Sequence, residues 1–511
     1  MPTDSTLSRS WTSGPGTGFA AALTRDVGKL HPVVWLYLLA VVIPVGFNVG
    51  SLALTGLRLM LMITVVPMTI RLFSGAYGKV YPVDYLFFLH IAWASIAVGV
   101  NNPDRALENV GSMGVEFFGG YLVGRAYIRS AADLIGLIRA LLLLVLISLP
   151  FAIVEAFRGT AIIPDLIARI PGLTTVAQVD IEKRMGLHRV QAFFAHPIHY
   201  GLFCSTALAL TFVGLRTVMS KGGRLLGCAA VSLGVFMSLS SGALLAAVLQ
   251  FGLIAWDSML RNVERRWLVL LGLFAAMYVA VDLLSNRTPI KVLMSYATFS
   301  VHTAYYRSII FEWGMINVWD NPIFGLGLRD WVRPSYMRSG SMDNFWLVMA
   351  VRYGIPGFLM IALGYADALF RVGRRKLTPG TTQSDLRLGW MIMFLGLSFT
   401  LVTVHVWTSV YSFVFFLLAS GLWIASANDE DNAGDTGPAS GSGSRRRGAG
   451  PVLARGLVEA SPSGPQASRS RSRTALPHTR TELDESAAPT REGPVFTRFP
   501  ARHGSSRPDP E

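Results

Sequence analysis

The chain has 511 residues, of which 52% are hydrophobic, 15% are charged and two are cysteine. Soluble domains usually carry about a quarter charged residues, so this composition excludes an ordinary soluble protein and indicates several membrane-crossing helices. Both cysteines fall in or beside apolar segments and give neither a disulfide framework nor a metal-binding spacing. The net charge of +14 sits largely in short loops between apolar segments, which argues against a nucleic-acid partner.

The two ends of the chain differ in composition from its apolar middle. Residues 1–32 are predicted to form a polar cytoplasmic segment in which no apolar core of a cleavable signal peptide is evident. Residues 426–511 are rich in Ser, Pro, Gly, Ala and Arg and have few large apolar side chains, so we expect a disordered cytoplasmic tail. The function is expected to reside in the transmembrane domain 33–425, which has a large outer loop at 285–343.

The hydrophobic runs predict twelve spans, so the expected fold class is an all-α, polytopic membrane protein. The predicted spans are 33–49, 52–72, 83–100, 112–129, 134–156, 193–215, 223–240, 242–259, 267–284, 344–370, 389–404 and 406–425.

The basic residues between these spans predict the orientation of the chain. With both termini in the cytoplasm, every short cytoplasmic loop is basic, as the positive-inside rule requires. The clusters are Arg71 and Lys79; Arg125 and Arg129; Arg216, Lys221 and Arg224; Arg261, Arg265 and Arg266; and Arg371, Arg374, Arg375, Lys376 and Arg387. The longest polar intervals then lie on the outer face, which favours a cavity built there.

The stretch from His302 to Gly357 is the longest polar interval between hydrophobic segments, and it runs directly into an apolar helix. It combines charged residues, Arg338 among them, with six Trp and Tyr residues before Asp343. Such a composition next to a bilayer suggests a folded cap over a membrane cavity. An outer loop with an interfacial aromatic belt would have a similar composition.

The start of the sixth predicted span also concentrates polar residues at the outer face. His196 and His199 are three residues apart and share one face of a helix. No third ligand has a diagnostic spacing, so ordinary hydrogen bonding is favoured over a metal site. Arg184 and Arg189 are better candidates for holding a phosphate, because a guanidinium group binds phosphate oxygens bidentately.

Arg352 lies two helical turns after Asn344 in the tenth predicted span. In an unbroken helix it would lie about 12 Å below the start of that span. A guanidinium at that depth needs an anionic partner, either a protein carboxylate or a substrate phosphate. If instead the sequence from Gly354 to Gly357 breaks the helix, Arg352 belongs to a re-entrant segment, and the sequence does not decide between these arrangements.

Three motifs together resemble the O-antigen ligase and polymerase superfamily of bacterial envelope glycan enzymes. The first runs from Arg189 to Pro197 and is similar to that family's Arg-then-Pro pattern at the start of a span. The second joins Arg307-Ser-Ile-Ile-Phe-Glu-Trp to Asn321-Pro-Ile-Phe-Gly-Leu-Gly. The third is Asp343-Asn-Phe-Trp-Leu followed by Gly354-Ile-Pro-Gly.

This resemblance implies a metal-independent, inverting glycosyltransferase of GT-C type in the bacterial inner membrane, needing no cofactor. The donor would be a glycan on undecaprenyl diphosphate, and the acceptor would be a hydroxyl of another lipid-linked repeat. Arg189 and Arg307 are the expected catalytic cations at the diphosphate, with Arg184 and Arg352 as further binding residues. Other candidate substrate-binding residues are His196, His199 and Asn344.

Asp343 is the expected general base. Its position before the tenth span fits an N-terminal helix cap equally well. Ligases of the family usually have a histidine at this place, which favours a polymerase here. The family's Ser-x-Ser-Arg-Gly junction reads Ser238-Leu-Ser-Ser-Gly in this chain and so lacks the arginine.

The sequence therefore favours polymerisation of lipid-linked repeat units into a surface or exported polysaccharide. A ligase that transfers the glycan to a lipid or protein acceptor is the nearest alternative. A transporter for lipid-linked oligosaccharides is a different class, and the absence of a convincing internal repeat argues against it. The expected partners are the undecaprenyl-diphosphate-linked glycan, membrane lipids, and polysaccharide-export and chain-length proteins.

Overall fold

The structure is a computed structural model that describes residues 30–50, 52–285, 301–337 and 339–427. Residues 1–29 of the predicted N-terminal segment and nearly all of the predicted tail lie outside the described residues, as do part of the predicted outer loop and Arg338. The described chain is largely helical, which agrees with the expected polytopic all-α class.

The first half of the chain forms six helices and one hairpin. These elements are α1 Pro32–Val42, β1 Gly46–Val49, β2 Leu52–Thr55, α2 Gly56–Phe73, α3 Pro82–Asn101, α4 Pro103–Tyr127, α5 Ala131–Arg158 and α6 Ile162–Ala168. The regular elements described in the second half are helices, joined by non-helical segments such as 169–196 and 321–337. These helices are α7 Pro197–Ala209 with a π-turn at Leu210–Gly214, α8 Lys221–Met237, α9 Ser241–Met259, α10 Arg266–Leu284, α11 Val301–Asp320, α12 Phe345–Arg374, α13 Thr382–Thr403, and α14 Thr408–Ser420 with a 3₁₀ turn at Leu422–Ser426.

A helix lies at each of the twelve predicted spans, but not all of these helices have the length and composition of a span. Among the described residues, nine helices are long and apolar enough to cross a membrane. Of the remaining three, α1 has 11 residues and α8 has 17, while α4 is longer but more polar. Crossing of the membrane by these three helices therefore stays a prediction.

The clearest departure from the predicted helices is the hairpin between α1 and α2. The antiparallel register pairs Gly46 with Thr55, and Gly46 also exchanges two backbone hydrogen bonds of 2.7 Å with Thr174. The first predicted span was therefore too long, because the helix ends at Val42. Pro44 has no backbone N–H, and it interrupts the apolar run just after that end.

Several ion pairs lie at one end of the helical bundle. Arg125 bonds Asp84 at 3.2 Å, and Arg216 bonds Asp385 at 3.1 Å. These contacts join the ends of helices beside the basic loops. The site described below lies at the opposite ends of the same helices.

The described part of the predicted outer loop contains helix α11 and a turn that docks on α12. Helix α12 is broken at Gly354, whose φ is +71°. The break decides between the two arrangements left open for Arg352, which lies two residues before it, near the end of the first segment of a discontinuous helix. Helix-breaking residues are tolerated at membrane depth where other protein groups satisfy the freed backbone.

Candidate functional site

Three cavities meet at the end of the bundle that carries the outer loop. The first, here the arginine cavity, has a volume of about 330 Å³ and is lined by Arg184, Arg189, Arg307 and Asp343. The second, here the loop cavity, measures about 570 Å³ and lies between the turn at 328–331 and Arg352. The third, here the inner cavity, measures about 200 Å³.

The connection between α13 and α14 lies where the three cavities meet. His405 and Trp407 line all three, and Arg352 lines the loop cavity and the inner cavity. Ser341 lines both the arginine cavity and the loop cavity. Two groups bound in the arginine and loop cavities would thus face each other across His405 and Trp407.

The segment that carries Arg189 is fixed by a buried carboxylate. Glu155, near the end of α5, accepts hydrogen bonds from the backbone N–H groups of Gln191 (2.7 Å) and Ala192 (3.0 Å). The N–H of Val190 donates to the carbonyl of Met237 at 3.1 Å. Arg189 is therefore held on a backbone that bonds α5 on one side and α8 on the other.

The three arginines bring concentrated positive charge into the arginine cavity. Burial, with a smaller contribution from Arg184, lowers the pKa of Arg189 to about 10, so Arg189 remains charged at neutral pH. Burial also lowers the pKa of Arg307, while the Asp343 carboxylate opposes that shift. Within the described part of the chain, the buried Nε atoms of Arg189 and Arg307 have no hydrogen-bond partner. Such donors suit an anionic ligand.

Helix starts add to this positive potential. Four helices, α7, α9, α12 and α14, begin at the wall of the arginine cavity, next to His196, Ser240, Asp343 and Trp407 respectively. The N-cap side chains of α9 and α14 make no capping hydrogen bond. Unpaired backbone N–H groups and the helix dipole together favour an anion at such positions.

Backbone strain is concentrated around the same cavity. Among the described residues, the non-glycine residues with positive φ are Met185, Ala192, Leu239 and Thr408. Each lies within three residues of one that lines the arginine cavity. Strained backbone persists where the surrounding structure determines it, and it clusters at functional sites.

Asp343 and Asn344 have separate contacts. The Asn344 side chain accepts a hydrogen bond from the N–H of Leu347 at 3.1 Å and so caps α12. Asp343 lines the arginine cavity and accepts a hydrogen bond from the Ser341 hydroxyl at 3.1 Å. The cap predicted as one reading of Asp343 is thus formed by its neighbour.

The two predicted histidines occupy different surroundings. His196 lines the arginine cavity, and its Nδ1 accepts a hydrogen bond from the N–H of Ile198 at 3.1 Å. Burial and the nearby Arg189 lower the pKa of His196 to about 4, so it is neutral at physiological pH. His199 is fully buried and packs against Trp407, with ring centroids 4.0 Å apart, outside the cavity lining.

His405 and Trp407 are the lining residues that sequence reasoning missed. Burial, reinforced by the charge of Arg352, lowers the pKa of His405 to about 3, so its imidazole is neutral. Its Nδ1 is buried, with no hydrogen-bond partner in the described structure. The available signal was the run Val-His-Val-Trp, a polar and aromatic insert at a predicted outer connection of only one residue between two apolar spans.

The Asn-Pro-Ile-Phe-Gly-Leu-Gly motif fixes Arg352 from outside. The N–H groups of Leu326 and Gly327 donate to the carbonyls of Val351 (2.7 Å) and Arg352 (2.9 Å). In return, the carbonyl of Pro322 accepts from the N–H of Ile355 at 2.8 Å, beyond the break. The motif therefore satisfies backbone groups that the broken helix leaves without intrahelical partners.

No group of three His, Cys, Asp or Glu side chains that could hold a metal ion occurs within residues 30–50, 52–285, 301–337 and 339–427. The cavities bring together Arg184, Arg189, Arg307, Asp343 and His196 in one place, with Arg352 in the adjoining cavity. Asn344 serves as a helix cap, and His199 supports Trp407.

The fold and the cavities define a multi-pass helical membrane protein with a strongly cationic site at one end of its bundle. Residues 226–362 match a family model described as O-antigen ligase, which supports the predicted resemblance to the O-antigen ligase and polymerase superfamily over this part of the chain and indicates glycan transfer of that type. The match includes Arg307, Asp343 and Arg352, whereas Arg184 and Arg189 precede it. No curated protein matches the chain significantly.

Proposed function

We propose that this protein polymerises undecaprenyl-diphosphate-linked oligosaccharide repeats into a surface or exported polysaccharide, at the outer face of the bacterial inner membrane. The observation that carries the proposal is the arginine cavity itself. It places three guanidinium groups and four helix starts around one carboxylate, Asp343. A diphosphate leaving group beside an acceptor hydroxyl needs this combination of charges.

In the proposed reaction, Arg189 and Arg307 hold the diphosphate of the donor, and Arg184 adds charge at the rim. The acceptor hydroxyl attacks the anomeric carbon from the face opposite the diphosphate. The new glycosidic bond forms as the bond from that carbon to the diphosphate oxygen breaks, so the anomeric configuration inverts. The hydroxyl proton goes to Asp343, and the electron pair leaves with undecaprenyl diphosphate, where the fixed cations stabilise the developing charge.

The same chemistry applies to a ligase, which differs only in its acceptor. Polymerisation is preferred because an aspartate occupies the position where ligases of the family usually have a histidine. A transporter remains the alternative of a different class. Within the described residues, the buried Nε atoms of Arg189 and Arg307 in the arginine cavity have no hydrogen-bond partner, which supports a site that holds an anionic group at the outer end of the bundle.

The test is the chain length of the glycan in cells that carry Arg307→Gln, with Arg307→Lys beside it. Removing a cation that stabilises developing charge is expected to lower polymer yield by about 100-fold, with partial recovery in the lysine variant. Arg169→Gln is the matched control, because Arg169 is an exposed arginine whose ion pair with Asp165 lies on the surface. Membrane levels of all variants are measured in parallel.

The products distinguish the alternatives. Single repeats that accumulate on lipid outside the inner membrane, at normal protein level, support polymerisation. Long chains that stay on the lipid carrier would instead support ligation. Unchanged polymer and unchanged attachment would remove Arg307 from the catalytic site and favour transport.

A further inference from the structure

We propose that the loop cavity is the acceptor subsite and that it selects a glycan carrying an anionic group, which Arg352 binds. This inference rests on the proposed function and adds the location and the chemical class of the acceptor. The loop cavity is large enough for sugar residues, at about 570 Å³, and adjoins the arginine cavity at Ser341, His405 and Trp407. A hydroxyl presented from it would face the donor bound beside Arg307.

The charges that line the loop cavity are unbalanced. Its only lining carboxylate among the described residues is Asp330, which is paired with Arg333 at 2.6 Å. Arg329 and Arg352 also line the cavity, and no described carboxylate lies within ion-pair distance of either. Two guanidinium groups facing one already neutralised carboxylate leave a net positive cavity, which favours an anionic ligand.

Arg352 is held by a rigid backbone while its side chain remains exposed to the cavity. Its carbonyl accepts from the N–H of Gly327 at 2.9 Å, and the carbonyl of Tyr353 accepts from the Trp93 indole N–H at 2.9 Å. Gly354 then turns the chain away with a φ of +71°. Because the backbone is fixed before binding, little ordering is needed when an anion arrives.

The remaining lining suits a sugar. Trp331 donates its indole N–H to the carbonyl of Gly340 at 3.0 Å, which fixes one aromatic side chain of the cavity. Trp407 also lines the cavity and packs on His199. Aromatic side chains accept the apolar faces of sugar rings, and a few convergent polar groups then set the orientation of the ligand.

The anionic group has two possible sources, a carboxylate on a sugar residue or the diphosphate of a second lipid-linked repeat. Binding to the full-length protein in nanodiscs separates them by calorimetry. The probes are cellobiouronic acid, its neutral counterpart cellobiose, and inorganic diphosphate. The variants are Arg352→Gln, Arg352→Lys, Arg307→Gln and the exposed control Arg169→Gln, each checked for an unchanged melting temperature.

If a sugar carboxylate is the ligand, the wild-type protein binds cellobiouronic acid at least about tenfold more tightly than cellobiose. Arg352→Gln then removes this preference, Arg352→Lys restores part of it, and Arg307→Gln leaves it within about twofold. If the lipid diphosphate is the ligand, the wild-type protein binds two inorganic diphosphate ions. One of these two binding events is then lost in Arg352→Gln, and the other is lost in Arg307→Gln.

Equal binding of the acidic and neutral disaccharides, together with diphosphate binding that Arg352→Gln does not change, would overturn the acceptor assignment. The proposed function has its own readout, the loss of diphosphate binding in Arg307→Gln. If Arg307→Gln still binds diphosphate while Arg352→Gln shows its expected loss, the result counts against the donor site and not against the acceptor subsite.

Discussion

At the scale of single residues, the contrast between Asp343 and Asn344 separates chemistry from folding. Asn344 completes the first turn of α12 through the N–H of Leu347, whereas Asp343 projects into the arginine cavity beside Ser341. The two side chains are similar in size and adjacent in the chain. Their substitutions should therefore give opposite patterns of activity and stability.

Asp343→Asn removes the proposed base while keeping its shape, so transfer should fall by about 100-fold or more, with little change in melting temperature. Asn344→Ala removes a helix cap and should destabilise the protein by about 1 kcal/mol, with a smaller loss of activity. Polymer yield per folded protein and thermal unfolding in nanodiscs measure the two effects. An active Asp343→Asn protein would show that another group accepts the proton.

Residue types predicted part of this site. Arg184 and Arg189 could be selected from sequence because guanidinium groups beside a span suit a phosphate, and Arg307 through the motif that carries the resemblance. His405 and Trp407 could not, since only the packing of α13 and α14 shows where the cavities meet.

An arginine from another part of the chain contacts the junction that lacks the family's arginine. In the junction between α8 and α9, where the family pattern carries an arginine, this chain has Ser241. The Arg184 guanidinium lies against that junction and donates to the carbonyl of Leu239 at 2.8 Å. A contact between residues so far apart in the chain is invisible in a single sequence.

At the scale of elements, the discontinuous helix α12 links the outer loop to the cavities. A Cβ atom at Gly354 would meet the carbonyl of Ile323, in the turn that docks on the break. One at Gly325 would in turn meet the carbonyl of Val351. The glycines of the second and third motifs thus allow two backbones to approach closely, which gives the pairing of these motifs a physical reason.

Gly354→Ala should destabilise the protein by about 1–3 kcal/mol, because alanine is strained at a φ of +71° and has no room against Ile323. It should also weaken anion binding at Arg352. Gly252→Ala is the control, since a Cβ at this helical glycine meets no atom within 4 Å. The melting temperatures of both variants are measured. If both substitutions lower the melting temperature equally little, the docking of the turn does not depend on the break at Gly354.

The elements were predictable to different degrees. Long apolar runs located the helices, and the Gly-Ile-Pro-Gly sequence raised the break as one of two possibilities. The hairpin at 46–55 was missed because its residues are as apolar as those of the flanking helices. Hydrophobicity alone does not distinguish a short strand from the end of a span.

At the scale of the whole molecule, the cavities and the basic loops lie at opposite ends of the helices. Helix α7 begins at the arginine cavity beside His196, and its π-turn leads to Arg216, which pairs with Asp385 at 3.1 Å. Helix α13 begins near Asp385 and ends beside His405. If the basic loops are cytoplasmic, the cavities therefore open to the outer face, where lipid-linked repeats would be polymerised.

Labelling of introduced cysteines tests this orientation directly. Both native cysteines, Cys204 and Cys228, are buried, so they should contribute little background. We expect Lys183→Cys to react with a membrane-impermeant maleimide in intact spheroplasts, and Lys221→Cys to react only after permeabilisation, because these exposed lysines lie at opposite ends of the bundle.

The reverse pattern of labelling would place the three cavities in the cytoplasm. A donor exposed only outside the membrane could not reach Arg307 there, so the polymerase proposal would fail whatever the residues of the site can do chemically. Labelling of both variants in intact spheroplasts would instead indicate a mixed orientation, contrary to the uniform bias of the basic loops.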